Sequence, residues 1–403
     1  MEWDCLIREN VLTKRIQNGI SYITRDILNS TADNNNYSLI DGKAGIAIFL
    51  NHLTLHENNK EYNYIAKQHI KKAADAIANS PMSYYLANGV SGILWALTYL
   101  NNLNFLELRI GDVIGEGIDK FLLNSSLRDL KKGRYDYLYG GLGVIIYFLE
   151  RGDDDERYAG YLSELVNGLK EASQNFPEGL WMLDSLSAVS HKKYNLGLAH
   201  GISSIIIILS KLIKRGILTD VTIELLEKCV CWVLEKKRKN IGNGIFPLVF
   251  PEDTNLLNRI AWCNGDLGVA MALLQAGLVT GSGLWQEQAT EIALHTADRR
   301  QPLAGAVDAG FCHGTAGIAH TFNRLFRHTG NRNFREIALY WYKETMDMFE
   351  KQDKFEFFIE GKKGRSKFHK EDGILVGSAG VGLCLLSAMS SSEPKWDRCF
   401  LLS

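Results

Sequence analysis

One glycine pattern recurs along the chain and constrains its fold more than any other feature of the sequence. It reads Gly-x-x-Gly followed by Ile or Val, and it is present six times, with a seventh copy that has Ser204 at the second glycine position. The first glycines of successive copies lie 47, 51, 61, 64, 49 and 63 residues apart, so one structural unit is repeated seven times over most of the chain. The copies begin at Gly42, Gly89, Gly140, Gly201, Gly265, Gly314 and Gly377.

Each copy opens a stretch of small and apolar residues on all faces, which predicts a buried helix. Amphipathic segments with a charged face lie between the copies and predict helices on the outside. The first of them precedes the first copy, so seven outer helices alternate with seven inner ones. The predicted inner segments include Ile46–Leu50, Ile93–Leu100, Val144–Leu149, Ile205–Leu209 and Val269–Leu274, and the predicted outer ones are Val11–Leu28, Glu61–Ala78, Leu106–Leu122, Tyr158–Ser173, Thr222–Lys237, Trp285–Arg299 and Phe334–Phe349.

Repeats of this kind either stack as an open solenoid or close into a ring. A solenoid has atypical caps at both ends, whereas the first and last inner segments here are as apolar and glycine-rich as the middle ones. We therefore predict an all-α fold in which residues 1–403 form a single α/α toroid (barrel) domain of seven inner and seven outer helices. The three longest intervals predict small β-containing insertions at about 176–195, 242–257 and 354–370.

The composition argues against several classes of protein. Lys plus Arg is 45 and Asp plus Glu is 46, so the overall charge gives no reason to expect a nucleic acid partner. Residues 1–10 lack the apolar core of a signal peptide, and seven scattered cysteines do not make a disulfide framework, which together predict a cytoplasmic protein. Two apolar stretches, Ile202–Ile213 and Gly373–Ser392, predict buried helices, since the first is far shorter than the ~20 residues that span a bilayer and the second is rich in Gly and Ser.

The residues just before each first glycine share one position in the repeat, so we expect them to converge at one end of the barrel. Polar and metal-binding types concentrate in the fourth, fifth and sixth copies, which are neighbours around the ring. In chain order the residue directly before the glycine is Asp41, Asn88, Tyr139, His200, Asn264, His313 and Val376, and the residue before that is Ile40, Ala87, Leu138, Ala199, Cys263, Cys312 and Leu375.

Cys263, Cys312 and His313 form a candidate metal site. Two thiolates and an imidazole are borderline-soft ligands that suit Zn²⁺. Three protein ligands leave one position open, as in a catalytic site, whereas a structural site has four. A buried cysteine is more often a small apolar side chain, and that interpretation fits Cys5, Cys229, Cys231, Cys384 and Cys399. We predict one zinc ion per chain, held by the other two cysteines and His313.

Four segments of the sequence resemble the lanthionine synthetase C-like family, specifically its stand-alone lantibiotic cyclases. They are Tyr135–Gly140 (YDYLYG), Gly197–Gly201 (GLAHG), Arg259–Gly265 (RIAWCNG) and Cys312–Gly317 (CHGTAG). The resemblance implies an α/α toroid and zinc bound by Cys263, Cys312 and His313. It also implies that Asp136, His200 and Arg259 line the same cavity, where they transfer protons or orient the substrate. Cyclases of this type carry a small β-containing extension resembling an SH2 domain.

The resemblance implies a zinc-dependent cyclase that closes lanthionine and methyllanthionine rings. Cysteine thiols of a dehydrated precursor peptide add to dehydroalanine or dehydrobutyrine, and the resulting enolate needs a proton. The position of His200 makes it the best proton donor, Asp136 orients His200 or the peptide, and Arg259 steadies the enolate oxygen. Expected partners are the precursor peptide, a dehydratase and an exporter in a membrane-associated complex that recruits the chain peripherally, and alone the chain is expected to be a monomer.

Other functions compete with this interpretation. A relative in the same family binds glutathione or another thiol, or modifies phosphorylated proteins, without cyclising a peptide. A non-enzymatic scaffold with structural zinc needs a fourth protein ligand. Protein prenyltransferase β-subunits are also helical barrels with zinc-activated thiols, but they lack the glycine pattern and Cys-His-Gly. For Asp136 and Arg259, a capping or surface ion-pair role competes with a catalytic one.

Overall fold

A computed structural model describes residues 3–8, 11–30, 35–107, 114–152, 156–175, 177–180, 193–239, 244–252, 258–359 and 367–403. These residues form fourteen α-helices, which we number α1 to α14 in chain order. The outer, odd-numbered helices are Val11–Ser30, Lys60–Asn79, Glu116–Lys131, Glu156–Ser173, Thr219–Glu235, Gly283–Ala297 and Arg332–Gln352. The inner, even-numbered helices are Lys43–Glu57, Val90–Asn102, Gly143–Arg151, Ile202–Lys214, Asp266–Thr280, Thr315–Thr329 and Ser378–Met389.

The inner helices are buried on nearly every face, as the sequence predicts. In α4, every residue from Val90 to Leu100 is buried, and in α8 every residue from Ile202 to Ser210 is buried. Outer helices bury one face only; α1, for example, buries Ile16, Ile20 and Ile23 and exposes Gln17, Asn18 and Ser21. The apolar stretches within α8 and α14 are therefore core helices, and no helix among the described residues is long and apolar enough to cross a membrane.

The ring is closed by packing and by hydrogen bonds. Helix α14 packs against both α1 and α2, so the last repeat meets the first. Residues two or three positions before the first glycine also join neighbouring repeats through their main chains. These bonds run from Ile40 N to Ala87 O (3.2 Å), Ala87 N to Leu138 O (3.0 Å), Ala199 N to Cys263 O (2.9 Å), Cys263 N to Cys312 O (3.3 Å), Cys312 N to Leu375 O (2.8 Å) and Ile374 N to Ile40 O (2.7 Å). The predicted α/α toroid is confirmed.

The repeated glycines are explained by crowding at the start of each inner helix. A Cβ at Gly317 would lie 1.7 Å from the carbonyl oxygen of Phe311, and one at Gly92 would lie 1.9 Å from that of Leu86. The second glycine thus lets the first helical turn pack onto the chain six residues earlier. In six of the seven copies the first glycine is the N-cap of its helix, the exception being the third, where Leu142 is the N-cap. At Gly265 the backbone has φ 85°, a conformation that strains any other residue.

One predicted outer helix was placed wrongly. The amphipathic pattern predicts a helix over Leu106–Leu122, but the described helix is α5, Glu116–Lys131. The chain turns before it, because Asn104 and Glu107 have φ of 57° and 54°, outside the right-handed helical region. Residues 108–113 of the predicted helix lie outside the described residues.

Short strands are present in all three predicted insertions. Strand β1, Tyr194–Asn195, pairs antiparallel with β2, Val249–Phe250, and thus joins the first two insertions. Strand β3, Phe357–Ile359, pairs antiparallel with β4, Lys367–His369, within the third. The rest of the 176–195 and 242–257 predictions falls partly on residues 176, 181–192, 242–243 and 253–257, which lie outside the described residues. Among the residues described, both sheets have two strands.

The C-terminal segment fills the barrel interior. Residues Lys395–Phe400 form a 3-10 helix whose Trp396 and Phe400 are buried. The Tyr137 hydroxyl donates to the carbonyl of Cys399, and Trp262 Nε1 donates to that of Phe400 at 2.8 Å. Tyr137 directly follows the predicted site residue Asp136 in the chain, and Trp262 directly precedes Cys263. The C-terminal segment therefore helps to position these two site residues.

Candidate metal centre and active site

The structure brings the three predicted metal ligands together. One ligand atom from each of Cys263, Cys312 and His313 lies within 4.8 Å of the others, and all three residues are half-buried. Cys263 comes three residues before α10, and the adjacent Cys312 and His313 come just before α12. The repeat register therefore places donors from two neighbouring repeats at one point.

Main-chain bonds fix the position of these ligands. Both Trp262 N and Cys263 N donate to Cys312 O, at 3.1 and 3.3 Å. Cys312 N in turn donates to Leu375 O at 2.8 Å. Both cysteines also lie near helix N-termini, where the free N–H groups favour negative charge. The ring that closes the barrel is thus also the support of the cluster.

The charges within the cluster act on one another. A hydrogen bond from Cys312 holds the pKa of the Cys263 thiol well below its usual range; burial opposes this, and His313 and Arg259 reinforce it. The same hydrogen bond and burial raise the pKa of Cys312. Although burial disfavours its charged form, His313 has a raised pKa because of the hydrogen bond and charge of Cys263. The cluster therefore stabilises a thiolate at Cys263.

Asp308 is a residue that the sequence analysis missed. Its buried carboxylate lies 4.0 Å from His313 Nε2. One oxygen accepts a hydrogen bond from Gly310 N at 2.8 Å, and the other accepts from Phe358 N of β3 at 2.9 Å. A carboxylate beside a ligating imidazole is a common way to orient it. Asp308 lies six residues before Gly314, the position that Arg259 holds before Gly265, but the sequence prediction followed only the two residues directly before each first glycine.

His200 and Asp136 form a hydrogen-bonded pair across the third and fourth repeats. His200 Nδ1 and Asp136 Oδ2 are 2.7 Å apart, with side chains that are 40% and 18% exposed. The second oxygen of Asp136 accepts from the backbone N–H groups of Leu138 and Tyr139 at 2.8 and 2.7 Å. Burial lowers the pKa of His200, but the hydrogen bond and charge of Asp136, assisted by Cys263, raise it above its ordinary value. His200 therefore combines a raised pKa with a partly exposed side chain.

Two further side chains border this pair. Tyr139 stacks on His200, with ring centroids 6.2 Å apart and planes at 16°. Arg259 lies four residues before Cys263. Its positive charge favours the thiolate form of both cluster cysteines, although the pKa of Cys312 stays raised overall. Gly305 packs against Arg259, since a Cβ there would lie 3.1 Å from Arg259 Cβ. The residues directly before the first glycines do not all have the same role. Asn88, for example, accepts a hydrogen bond through its Oδ1 from the hydroxyl of Ser83 in its own loop, at 3.0 Å.

All six predicted site residues therefore lie at one end of the barrel. The cluster and the histidine pair are joined by the bond from Ala199 N to Cys263 O, at 2.9 Å. The arrangement can bind a borderline-soft cation through two sulfurs and one nitrogen, with an imidazole of raised pKa and a guanidinium beside it.

Comparisons with known proteins agree with this architecture. The family model described as lanthionine synthetase C-like protein matches residues 33–401. The chain is 24% identical over 319 residues to the nisin biosynthesis protein NisC of Lactococcus lactis subsp. lactis, an alignment that covers 72% of this chain and 74% of that protein. A solved structure of nisin cyclase has the same fold, with a TM-score of 0.74 and 20% identity, over 96% of this chain and 97% of that one. Since the family model spans most of its length, the chain belongs to the lanthionine synthetase C-like family.

Proposed function

We propose that this chain is a zinc-dependent lantibiotic cyclase that forms lanthionine and methyllanthionine rings in a dehydrated precursor peptide. The observation that carries the proposal is the Cys263, Cys312 and His313 cluster, within 4.8 Å, at the same barrel end as the His200–Asp136 pair. Membership of the family supports it, as does the likeness to proteins named for nisin biosynthesis and nisin cyclisation.

The donor set fits zinc. Two sulfurs and one imidazole nitrogen from adjacent repeats match the ligand types that zinc takes in catalytic sites, and the charge pattern already favours a thiolate at Cys263. Zinc bound by these residues would take a substrate thiol at its open position and lower the pKa of that thiol.

His200, Asp136 and Arg259 act on the substrate in the remaining steps. The substrate sulfur adds to the β-carbon of the dehydrated residue, a C–S bond forms, and the electron pair of the double bond moves towards the carbonyl oxygen. His200 gives a proton to the α-carbon, and Asp136 holds its Nδ1 so that Nε2 faces the substrate. The positive charge of Arg259 acts on both cluster cysteines, and it stabilises the carbonyl oxygen of the substrate as that oxygen becomes negative.

The proposal extends to organisation and partners. Residues 1–403 act as a single α/α toroid domain. The substrate is the dehydrated precursor peptide, and dehydration is performed by another protein. A dehydratase and an exporter form the membrane-associated complex to which the chain is recruited peripherally, while the chain alone is a cytoplasmic monomer.

Metal content is the first test. Elemental analysis of the purified protein should give about one zinc per chain. Cys263→Ala, Cys312→Ala and His313→Ala should each lose most of it, whereas Cys231→Ala, which removes an exposed cysteine outside the cluster, should retain it. Full zinc in Cys312→Ala would remove that residue from the site.

Ring formation is the second test. The protein is incubated with a dehydrated precursor peptide, and the free thiols are counted before and after by alkylation and mass spectrometry. Loss of one thiol per ring without a change in peptide mass is expected, because the addition is an isomerisation. Zinc-loaded protein that consumes no peptide thiol but binds glutathione would favour the thiol-binding alternative within the family.

A further inference from the structure

Tyr139 is part of the site by geometry, although the proposed mechanism gives it no role. It holds the position directly before the first glycine of the third repeat, which His200 and His313 hold in the fourth and sixth. Its ring lies nearly parallel to that of His200, with planes at 16° and centroids 6.2 Å apart. Its backbone N–H donates to Asp136 at 2.7 Å, so one carboxylate positions both rings.

The surroundings of the Tyr139 hydroxyl make it a donor available to a ligand. The side chain is half-buried, and within the described part of the chain its hydroxyl makes no hydrogen bond. Burial and then the charges of Asp41, Asp136 and Cys312 raise the pKa of Tyr139 to about 12. The phenol therefore keeps its proton over the whole physiological range, and Cys312 of the cluster is near enough for its charge to act on it.

Tyr139 and Arg259 lie in the repeats on either side of His200. Tyr139 belongs to the third repeat, His200 to the fourth and Arg259 to the fifth, in the order in which the repeats follow around the ring. A proton donor between two hydrogen-bond donors is the arrangement that protonates a carbon while the adjacent oxygen carries negative charge.

We propose that the Tyr139 hydroxyl donates a hydrogen bond to the carbonyl oxygen of the dehydrated residue during ring closure, and so forms an oxyanion site together with Arg259. As the C–S bond forms at the β-carbon, the electron pair of the double bond moves to this oxygen. The α-carbon then takes its proton from His200, the negative charge leaves the oxygen, and Tyr139 retains its own proton throughout. This inference rests on the proposed cyclase function.

A purely supporting role for the ring is the competing explanation. The stack alone could hold the His200 imidazole in place, and Phe would preserve it. Two substitutions separate these roles: Tyr139→Phe removes the hydroxyl and keeps the stack, whereas Tyr139→Leu removes both. The matched control is Tyr64→Phe, which deletes the hydroxyl of an exposed tyrosine on the outer helix α3.

The experiment measures zinc content, melting temperature, kcat and KM for thiol loss in a dehydrated peptide. Tyr139→Phe should keep its zinc and stability while kcat falls about 10²-fold at a nearly constant KM, since a bond to developing charge acts only in the transition state. Tyr64→Phe should match the wild type.

Four results would overturn the inference. A Tyr139→Phe variant with wild-type kcat shows that the hydroxyl takes no part, and a rise in KM alone shows a ground-state contact. Loss of activity in Tyr139→Leu with full activity in Tyr139→Phe assigns the residue to the support of His200. A wild-type protein that closes no rings overturns the proposed function as well, and that result differs from one in which only the variant behaves unexpectedly.

Discussion

Two histidine–aspartate pairs in this barrel have the same contact and opposite surroundings. His200 and Asp136 meet at the glycine end of the barrel, and His320 and Asp397 meet in its interior, each with a nitrogen–oxygen distance of 2.7 Å. The His200 side chain is 40% exposed, whereas the side chains of His320 and Asp397 have no exposed surface.

The two carboxylates have different further partners. Asp397 accepts hydrogen bonds from Arg324 Nε and Nη2 at 2.6 and 2.8 Å, so a buried guanidinium already balances its charge. Asp136 instead accepts from two backbone N–H groups, which carry no net charge. The negative charge of Asp136 therefore acts mainly on His200, whereas that of Asp397 is shared between His320 and Arg324.

The pKa values of the two histidines move in opposite directions. Burial lowers the pKa of His320, with the charge of Arg324 adding to it, and the bond to Asp397 compensates only in part. At His200 the same burial effect is outweighed by Asp136, and the pKa is raised. A short histidine–carboxylate bond therefore does not identify an acid–base site; exposure and the other partners of the carboxylate decide.

The largest expected effect is on catalysis. His200→Asn should lower the rate of cyclisation by roughly 10²–10⁴ and keep the zinc and the melting temperature, because it removes a proton donor that is not a metal ligand. His320→Asn should do the reverse, with a lower melting temperature and near-normal activity per folded molecule. Steady-state thiol loss, elemental analysis and thermal unfolding measure these quantities.

Loss of zinc in His200→Asn would contradict the comparison. His200 would then be a fourth ligand, the site would be closed as structural zinc sites are, and the catalytic assignment would have to be abandoned.

The next effect is on stability. Asp397→Asn should lower the free energy of unfolding by about 3–5 kcal/mol, because it leaves the buried Arg324 with only the half-exposed Glu393 as a charged partner among the described residues. Asp136→Asn changes a partly exposed residue with no buried cation beside it, so its effect on unfolding should be small. Urea unfolding of both variants tests this. An equal loss in the free energy of unfolding would show that the two pairs contribute equally to stability.

Most of the fold follows from local pattern. The glycine spacing predicts seven repeats, and the five inner segments for which the sequence analysis gives bounds lie within observed helices, such as Ile93–Leu100 within Val90–Asn102. The start of α5 could not be predicted, because the left-handed conformations of Asn104 and Glu107 leave no mark in the apolar periodicity.

The alignment of the repeats predicts the metal cluster and His200, whereas Asp136 and Arg259 are predicted only by the resemblance to the family. Cys263, Cys312, His313 and His200 hold matching positions, so their convergence follows from symmetry. Asp308 lies outside these two positions, six residues before Gly314, and its approach to His313 depends on a loop and on β3. The same is true of Arg324 and Asp397, which are 73 residues apart in the chain and meet because the C-terminal segment enters the barrel.

The smallest expected effect is a difference in pH dependence between His200→Asn and His320→Asn. Because the pKa of His200 is raised on folding, its contribution to stability is present below the unfolded value of about 6.5 and is lost as the pH rises through the folded pKa. For His320 the folded pKa is lowered, so its contribution is present above about 6.5 and is lost as the pH falls.

Urea midpoints of the wild type and both variants, measured from about pH 5.5 to 8, should therefore diverge in opposite senses. The deficit of His200→Asn should shrink as the pH rises, and that of His320→Asn should grow. Both variants retain Cys263, Cys312 and His313, so the pH dependence of metal binding is common to them and the wild type and cancels in each difference. Deficits that change in the same direction would mean that exposure and the guanidinium of Arg324 do not separate the two pairs, and the distinction between an acid–base histidine and a structural one would fail.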